Sequence, residues 1–188
     1  MRNILFIISF LLVSAAAQAQ TSIGIFDHFA NSAASESPDG VINRDAVLTG
    51  KYQLDGLVAT SVQAEQIKAV CSIALNESGF DCFKSEVIFG DIAAFGIVDG
   101  TKTIPGTWKE TAGKSVRISF NKIFTYGMTG RIVPVKKGYE LYFPAKDFTG
   151  FVQRSLALIG KRDTGATISE LERLCDDRTE IGFRIIRR

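Results

Sequence analysis

The chain has 188 residues, 46% of them hydrophobic and 22% charged, with 22 basic and 20 acidic side chains for a formal charge of +2. That balance excludes a protein held on nucleic acid or an anionic membrane by charge alone, which needs a concentrated basic surface. Three cysteines and one histidine leave little material for a metal centre or a catalytic triad.

Met1-Arg2-Asn3, the apolar run from Ile4 to Val13 and the Ala17-Gln18-Ala19 exit have the layout of a cleavable secretory signal over residues 1–19. The apolar run is too short to span a bilayer, and no later run approaches that length. No Cys follows the expected cleavage site, so nothing points to a lipoprotein. The mature chain is therefore expected to be secreted or periplasmic, with no transmembrane segment. Arg2 is the only charged residue of the leader, so the 169 residues that remain carry a formal charge of +1, and they suit one domain with a continuous core.

Residues 20–40 read as an N-terminal arm and linker. Thr21 to Ala30 holds a short apolar segment, and Asn31 to Gly40 is small, polar and turn-forming. The folded body is expected over 41–188. Leu48 to Leu54 reads as a first strand. Thr60 with Gln63 then makes a helix-start box, with Ile67, Val70, Cys71 and Ala74 following at helical spacing until Asn76-Glu77-Ser78-Gly79.

From Phe83 the chain alternates: Phe83, Ser85, Val87 and Phe89 share one face, and Lys84, Glu86 and Ile88 the other. Turn signals at Gly90-Asp91, Asp99-Gly100, Ala112-Gly113, Tyr126-Gly127 and Lys137-Gly138 cut out strands near 91–98, 103–110, 114–123, 128–136 and 138–144. Pro105 and Pro134 remove ladder donors, which predicts a bulge or strand end at each. After Pro144 the period is helical again, with Phe148, Phe151, Val152, Leu156 and Ile159 on one stripe and Gly160 as the stop. Thr167 and Glu170 form a second start box, for a helix carrying Ile168, Leu171, Leu174 and Cys175. Ile181, Phe183 and Ile185 alternate in a last strand. The sum is a mainly β chain of eight antiparallel strands, able to close into a barrel that leaves no free edge.

Gly50-Lys51-Tyr52, the helix after it, Gly106-Thr107-Trp108-Lys109, Tyr139-Glu140-Leu141-Tyr142-Phe143 running into the Phe148 to Gly160 helix, and Ile181-Gly182-Phe183 together resemble a family of secreted, lipocalin-like domains of unknown function from gut-associated bacteria. The resemblance covers Leu48 to Arg188. It implies an eight-stranded antiparallel lipocalin-like (calycin-type) barrel with one helix after the first strand and two before the last. Lipocalins proper carry Gly-x-Trp in the first strand; here Tyr52 holds that slot. The resemblance implies a fold and no ligand.

The only histidine, His28, lies in the arm and reads as a surface or docking residue, so a Ser or Cys nucleophile lacks its usual base. Catalytic and metal-binding residues are therefore expected to be none, no cofactor is implied, and the protein is read as a non-enzyme. Asp176-Asp177 reads as a solvated or helix-terminating pair. Cys71, Cys82 and Cys175 permit three pairings with one thiol left over. Cys71 to Cys82 is the local option, worth roughly 2–3 kcal/mol if it forms, and three reduced core thiols are the other reading.

What remains is aromatic content: fourteen Phe, four Tyr and one Trp. On alternation Phe89, Trp108, Phe120, Leu141, Phe143 and Phe183 share the inward face with Val116 and Ile118, while Arg117 and Arg131 face outward. The six residues Phe89, Trp108, Phe120, Leu141, Phe143 and Phe183 are the candidate ligand-binding set. Two functions follow: an exported carrier holding a small apolar ligand inside the barrel, or a cell-envelope module with a solid core that docks an envelope protein. Neither involves nucleic acid.

Overall fold

Short turns between alternating segments force each strand back beside its predecessor, and the result here is a single closed sheet. The structure is a computed structural model that describes residues 46–77, 84–91, 93–100, 102–111, 114–120, 126–158 and 165–187. The expected leader, arm and linker, with His28, Cys82, Phe83, Ile159 and Gly160, lie outside the described residues.

The strands are β1 (Gly50–Ala59), β2 (Glu86–Phe89), β3 (Ala94–Asp99), β4 (Lys102–Thr111), β5 (Ser115–Phe120), β6 (Tyr126–Val135), β7 (Gly138–Pro144) and β8 (Glu180–Arg187). Helix α1 (Ala64–Glu77) follows β1, and α2 (Ala145–Leu158) and α3 (Gly165–Leu174) separate β7 from β8. Every strand pairs antiparallel with the next, and β8 returns to β1 from Tyr52↔Arg187 to Ala59↔Ile181. No edge is left open, so the ladder groups of the barrel are satisfied within the sheet.

The first strand begins two residues later than its alternation suggests and continues to Ala59. Leu48 belongs instead to a turn, yet it is fully buried. The register between β1 and β8 shifts between Leu54 and Gly56, where Gly56 takes a φ of 120°, open to glycine and strained for other residues. That bulge bends β1 so that one strand can pair with β2 near its start and with β8 along most of its length.

Pro105 and Pro134 both lie inside strands rather than at their ends. Trp108 donates its backbone N–H to Ala93 O, so the N–H direction at Pro105, an odd number of residues away, is toward β5, whose pairing with β4 starts only at Thr107. Ile132 donates to Lys114 O, so Pro134 points the same way, past the start of β5. Among the described residues neither proline nitrogen faces a paired residue of β5. This explains the tolerance of each without a strand end.

Both expected helix-start boxes are used differently. Thr60 pairs with β8, its Oγ1 accepting from Glu180 N at 2.9 Å, and Ser61 Oγ accepts from Gln63 N at 3.1 Å ahead of α1. Thr167 and Glu170 lie within α3, where Glu170 pairs with Arg173 at 2.7 Å. Thr60 is taken by a partner that only folding brings close, whereas Glu170 pairs one turn along its own helix. The buried faces follow the periodicity: Ile67, Cys71 and Ala74 in α1; Phe148, Phe151, Val152 and Leu156 in α2; Ile168, Leu171 and Leu174 in α3.

The two ends of the barrel differ. All three helices join at the end defined by Ala59, Pro144 and Glu180, and α2 covers its mouth. At the opposite end the turn Ala46 to Thr49 lies beneath the barrel. Glu110 accepts the backbone N–H groups of Val47 and Leu48 at 3.2 Å each, the Tyr52 hydroxyl donates to Val47 O at 3.4 Å, and Leu48 is fully buried as part of the core.

Candidate functional site

The inward positions were legible from alternation, and the structure brings the six candidate residues together. Phe89, Trp108, Phe120, Leu141, Phe143 and Phe183 are each at most 6% exposed and belong to one core. Trp108 points inward as expected, and its indole N–H donates to Gly90 O at 2.8 Å, which satisfies the one polar atom that its burial would otherwise leave unpaired.

These side chains form a column of rings along the barrel. Tyr52 meets Phe89 at 6.1 Å, Phe89 meets Trp108 at 5.0 Å and Phe95 at 5.2 Å, and Phe95 meets Phe120 at 5.8 Å. Tyr52 and Phe95 are outside the candidate set, and two further residues from α2 complete the column. Phe151 of α2 stacks on Phe120 at 5.3 Å, and Phe148 of α2 packs on Phe183 at 5.1 Å. Their helical spacing was read as a core stripe; that the stripe enters a barrel mouth depends on where β7 delivers the helix. Phe143 lies over Gly130 of β6, where a Cβ would come within 2.7 Å of its ring.

The void left among Leu54, Val87, Phe95, Ile97, Ile118, Leu141, Phe183 and Ile185 is entirely apolar and measures ≈ 10 Å³. Ligand pockets run to roughly 300–1,000 Å³. The barrel interior at these residues is filled by its own rings.

A second concavity lies outside the barrel. The first turns of α2, the last turn of α3 and the turn from Asp176 to Thr179 border a groove of ≈ 850 Å³. Tyr126 and Ala145 lie on its α2 side with Lys146, Gln153 and Arg154; Ile168, Glu172, Cys175, Asp176 and Asp177 lie on its α3 side. Its shape is well supported. Tyr126 donates its hydroxyl to Asp147 O at 2.8 Å, lies under the Arg154 guanidinium at 4.1 Å, and approaches Gly150 so closely that a Cβ there would collide with its hydroxyl. Burial and the Asp147 carboxylate hold its phenol above the ordinary range. On the other side Asp176 Oδ1 accepts from the Thr179 hydroxyl at 2.7 Å and from Arg178 N at 3.0 Å, which lowers the Asp176 pKa and pins the turn. Asp176 thus terminates the helix, as the adjacent acids suggested. Thr179 O in turn accepts from Ala145 N at 2.9 Å, tying the turn to the start of α2.

Cys175 is half-buried in this groove; burial, then the neighbouring Asp176 charge, raises its thiol pKa, which keeps it a protonated, weak nucleophile. Cys71 is buried in α1, and its suggested partner Cys82 lies outside the described residues. Among the described residues no three His, Cys, Asp or Glu side chains are grouped as a metal site requires, and no helix is long and apolar enough to cross a membrane.

The outer wall over β6, β7 and β8 carries a separate network. Arg131 lies over the Tyr142 ring at 4.2 Å and pairs with Glu180 at 2.7 Å, while Glu140 accepts from Arg184 at 2.6 Å and from the Tyr142 hydroxyl at 2.8 Å. Burial and the hydrogen bond to Glu140 push Tyr142 up to about 12. Burial alone would raise Glu140, but the Tyr142 and Arg184 hydrogen bonds bring its carboxyl below the usual range. Arg117 and Arg131 are exposed, on the outward face expected of them. No family model, curated protein or solved structure matches this chain.

Proposed function

We propose that this protein is an exported, non-enzymatic interaction module of lipocalin-like architecture, in which a solid barrel is the scaffold and the outer surface does the binding. The observation that carries the reading is the ≈ 10 Å³ void left where the described residues of the barrel interior pack their rings together. A fatty acid or similar guest would have to displace Phe120, Phe151 or Phe183, and fully burying one such ring stabilises by about 1.5–3 kcal/mol. Scaffolds of this kind suit the cell envelope or the extracellular space, where the signal-like leader would send the chain, and the expected occupant of the surface is an envelope protein.

The carrier reading, with a small apolar ligand inside the barrel, rests on the same aromatic residues and requires them to move. Titrating delipidated protein with fatty acids and with a fluorescent apolar probe separates the two. The module shows no saturable uptake at micromolar concentration. Stoichiometric uptake, lost in a Phe120→Trp variant that further fills the interior, would establish the carrier instead.

A further inference from the structure

We propose that the groove between α2 and α3 is a docking site for a cationic, partly apolar polypeptide segment of a partner protein; this rests on the reading of the barrel as a solid scaffold and names where and what it binds. The groove measures ≈ 850 Å³, within the range that encloses ligands, whereas the barrel void is ≈ 10 Å³. Its borders are held by contacts that do not depend on a guest: Tyr126 to Asp147 O on one side, Asp176 to Thr179 and Ala145 N to Thr179 O on the other. A preformed concavity avoids the ordering cost of building one on binding.

Charge selects the occupant. The chain as a whole carries a formal +2, yet the groove is bordered by four carboxylates, Asp147, Glu172, Asp176 and Asp177, against two cations, Lys146 and Arg154. Elsewhere on the described surface several carboxylates are paired within the molecule, Glu65 with Lys68, Glu170 with Arg173, Glu180 with Arg131, and Glu140 with Arg184, and the groove differs in bringing several carboxylates together around one concavity. Glu172 and Asp177 have neither an ion pair nor a hydrogen bond among the described residues, and both are exposed on the α3 side of the groove. Arg154 is turned onto Tyr126 and Gly150 O, so its charge is directed at this molecule's own groups. Between the two sides Ile168, Ala145 and Cys175 supply an apolar floor. Lys or Arg side chains alternating with small apolar ones in an extended segment meet the free carboxylates and the floor together, and complementary charge of this sort sets partner choice and encounter rate.

The test uses the full mature chain and fluorescein-labelled dodecapeptides, one alternating Lys with Val and one alternating Glu with Val. The Lys peptide binds saturably at low ionic strength and weakens as salt rises. A Glu172→Gln/Asp177→Asn variant, unchanged in melting temperature because both sites are exposed, binds it about ten-fold more weakly. Lys146→Gln binds it more tightly, a change that a purely structural lesion would not produce. Equal binding of the Glu peptide, an affinity indifferent to the double variant, or no saturable binding of the Lys peptide overturns the proposal. Apolar-probe titration of the same samples reports on the scaffold reading separately: probe uptake blocked by Phe120→Trp and indifferent to Glu172 and Asp177 defeats that reading, while the peptide result stands or falls by itself.

Discussion

The base and the mouth of the barrel are closed by different physics. At the base a single turn, Ala46 to Thr49, is held by one carboxylate accepting two backbone N–H groups, with Leu48 inserted beneath the rings. At the mouth a whole helix is turned onto the sheet, and Phe148 and Phe151 extend the interior column into it. The base plug is local and hydrogen-bonded, so it can be loosened by removing one charged group. The mouth plug is apolar, and its removal empties the interior itself.

The largest effect expected is therefore at the mouth. Phe151→Ala should cost about 3–5 kcal/mol in denaturant unfolding and open a void beside Phe120. That void should admit small apolar probes that the parent does not. A cost below about 1 kcal/mol would mean that α2 is not part of the core.

Leu48→Ala should cost about 2–4 kcal/mol by the same cavity argument, whereas Glu110→Ala, which removes the acceptor and leaves Leu48 in place, should cost about 1–2 kcal/mol. If the two changes together cost no more than Leu48→Ala alone, the carboxylate acts only by seating Leu48; a double-mutant cycle decides it. Tyr126→Phe removes one hydroxyl donor to Asp147 O and should cost about 1 kcal/mol. It should also loosen the near wall of the groove, visible as faster amide exchange in the first turns of α2.

The smallest effects belong to the outer wall, away from both plugs. Tyr142 has a folded pKa of about 12 against an ordinary 10.0, so its contribution is present below pH 10 and lost as pH rises through the folded value. Glu140 is shifted the other way: its contribution is present above the usual carboxylate range and lost as pH falls through its depressed pKa. Tyr142→Phe should flatten the alkaline limb of stability against pH relative to the parent, and Glu140→Gln the acid limb. Unaltered limbs in both variants would show the network to be solvated in solution.

The sequence alone determined the sheet, because side-chain alternation in a strand has a period of two and needs no information from elsewhere in the chain. It therefore marked Phe89, Trp108, Phe120, Leu141, Phe143 and Phe183 as inward, and turn residues at short intervals marked a meander. It also marked the buried stripes of α1, α2 and α3, whose periodicity is equally local. Tertiary structure alone decided how far the interior is filled, since the space left inside a closed sheet depends on where β7 delivers Phe148 and Phe151. The same holds for Thr60, which found Glu180 across 120 residues instead of its own helix, and for both prolines, which sit inside β4 and β6 at positions that face no paired residue of β5 among the described residues. The groove has no trace in the sequence for the same reason. Tyr126, Lys146 and Arg154 on one side and Glu172 and Asp177 on the other are local strangers, and only the packing of α2 and α3 against one end of the barrel makes them two walls of one concavity.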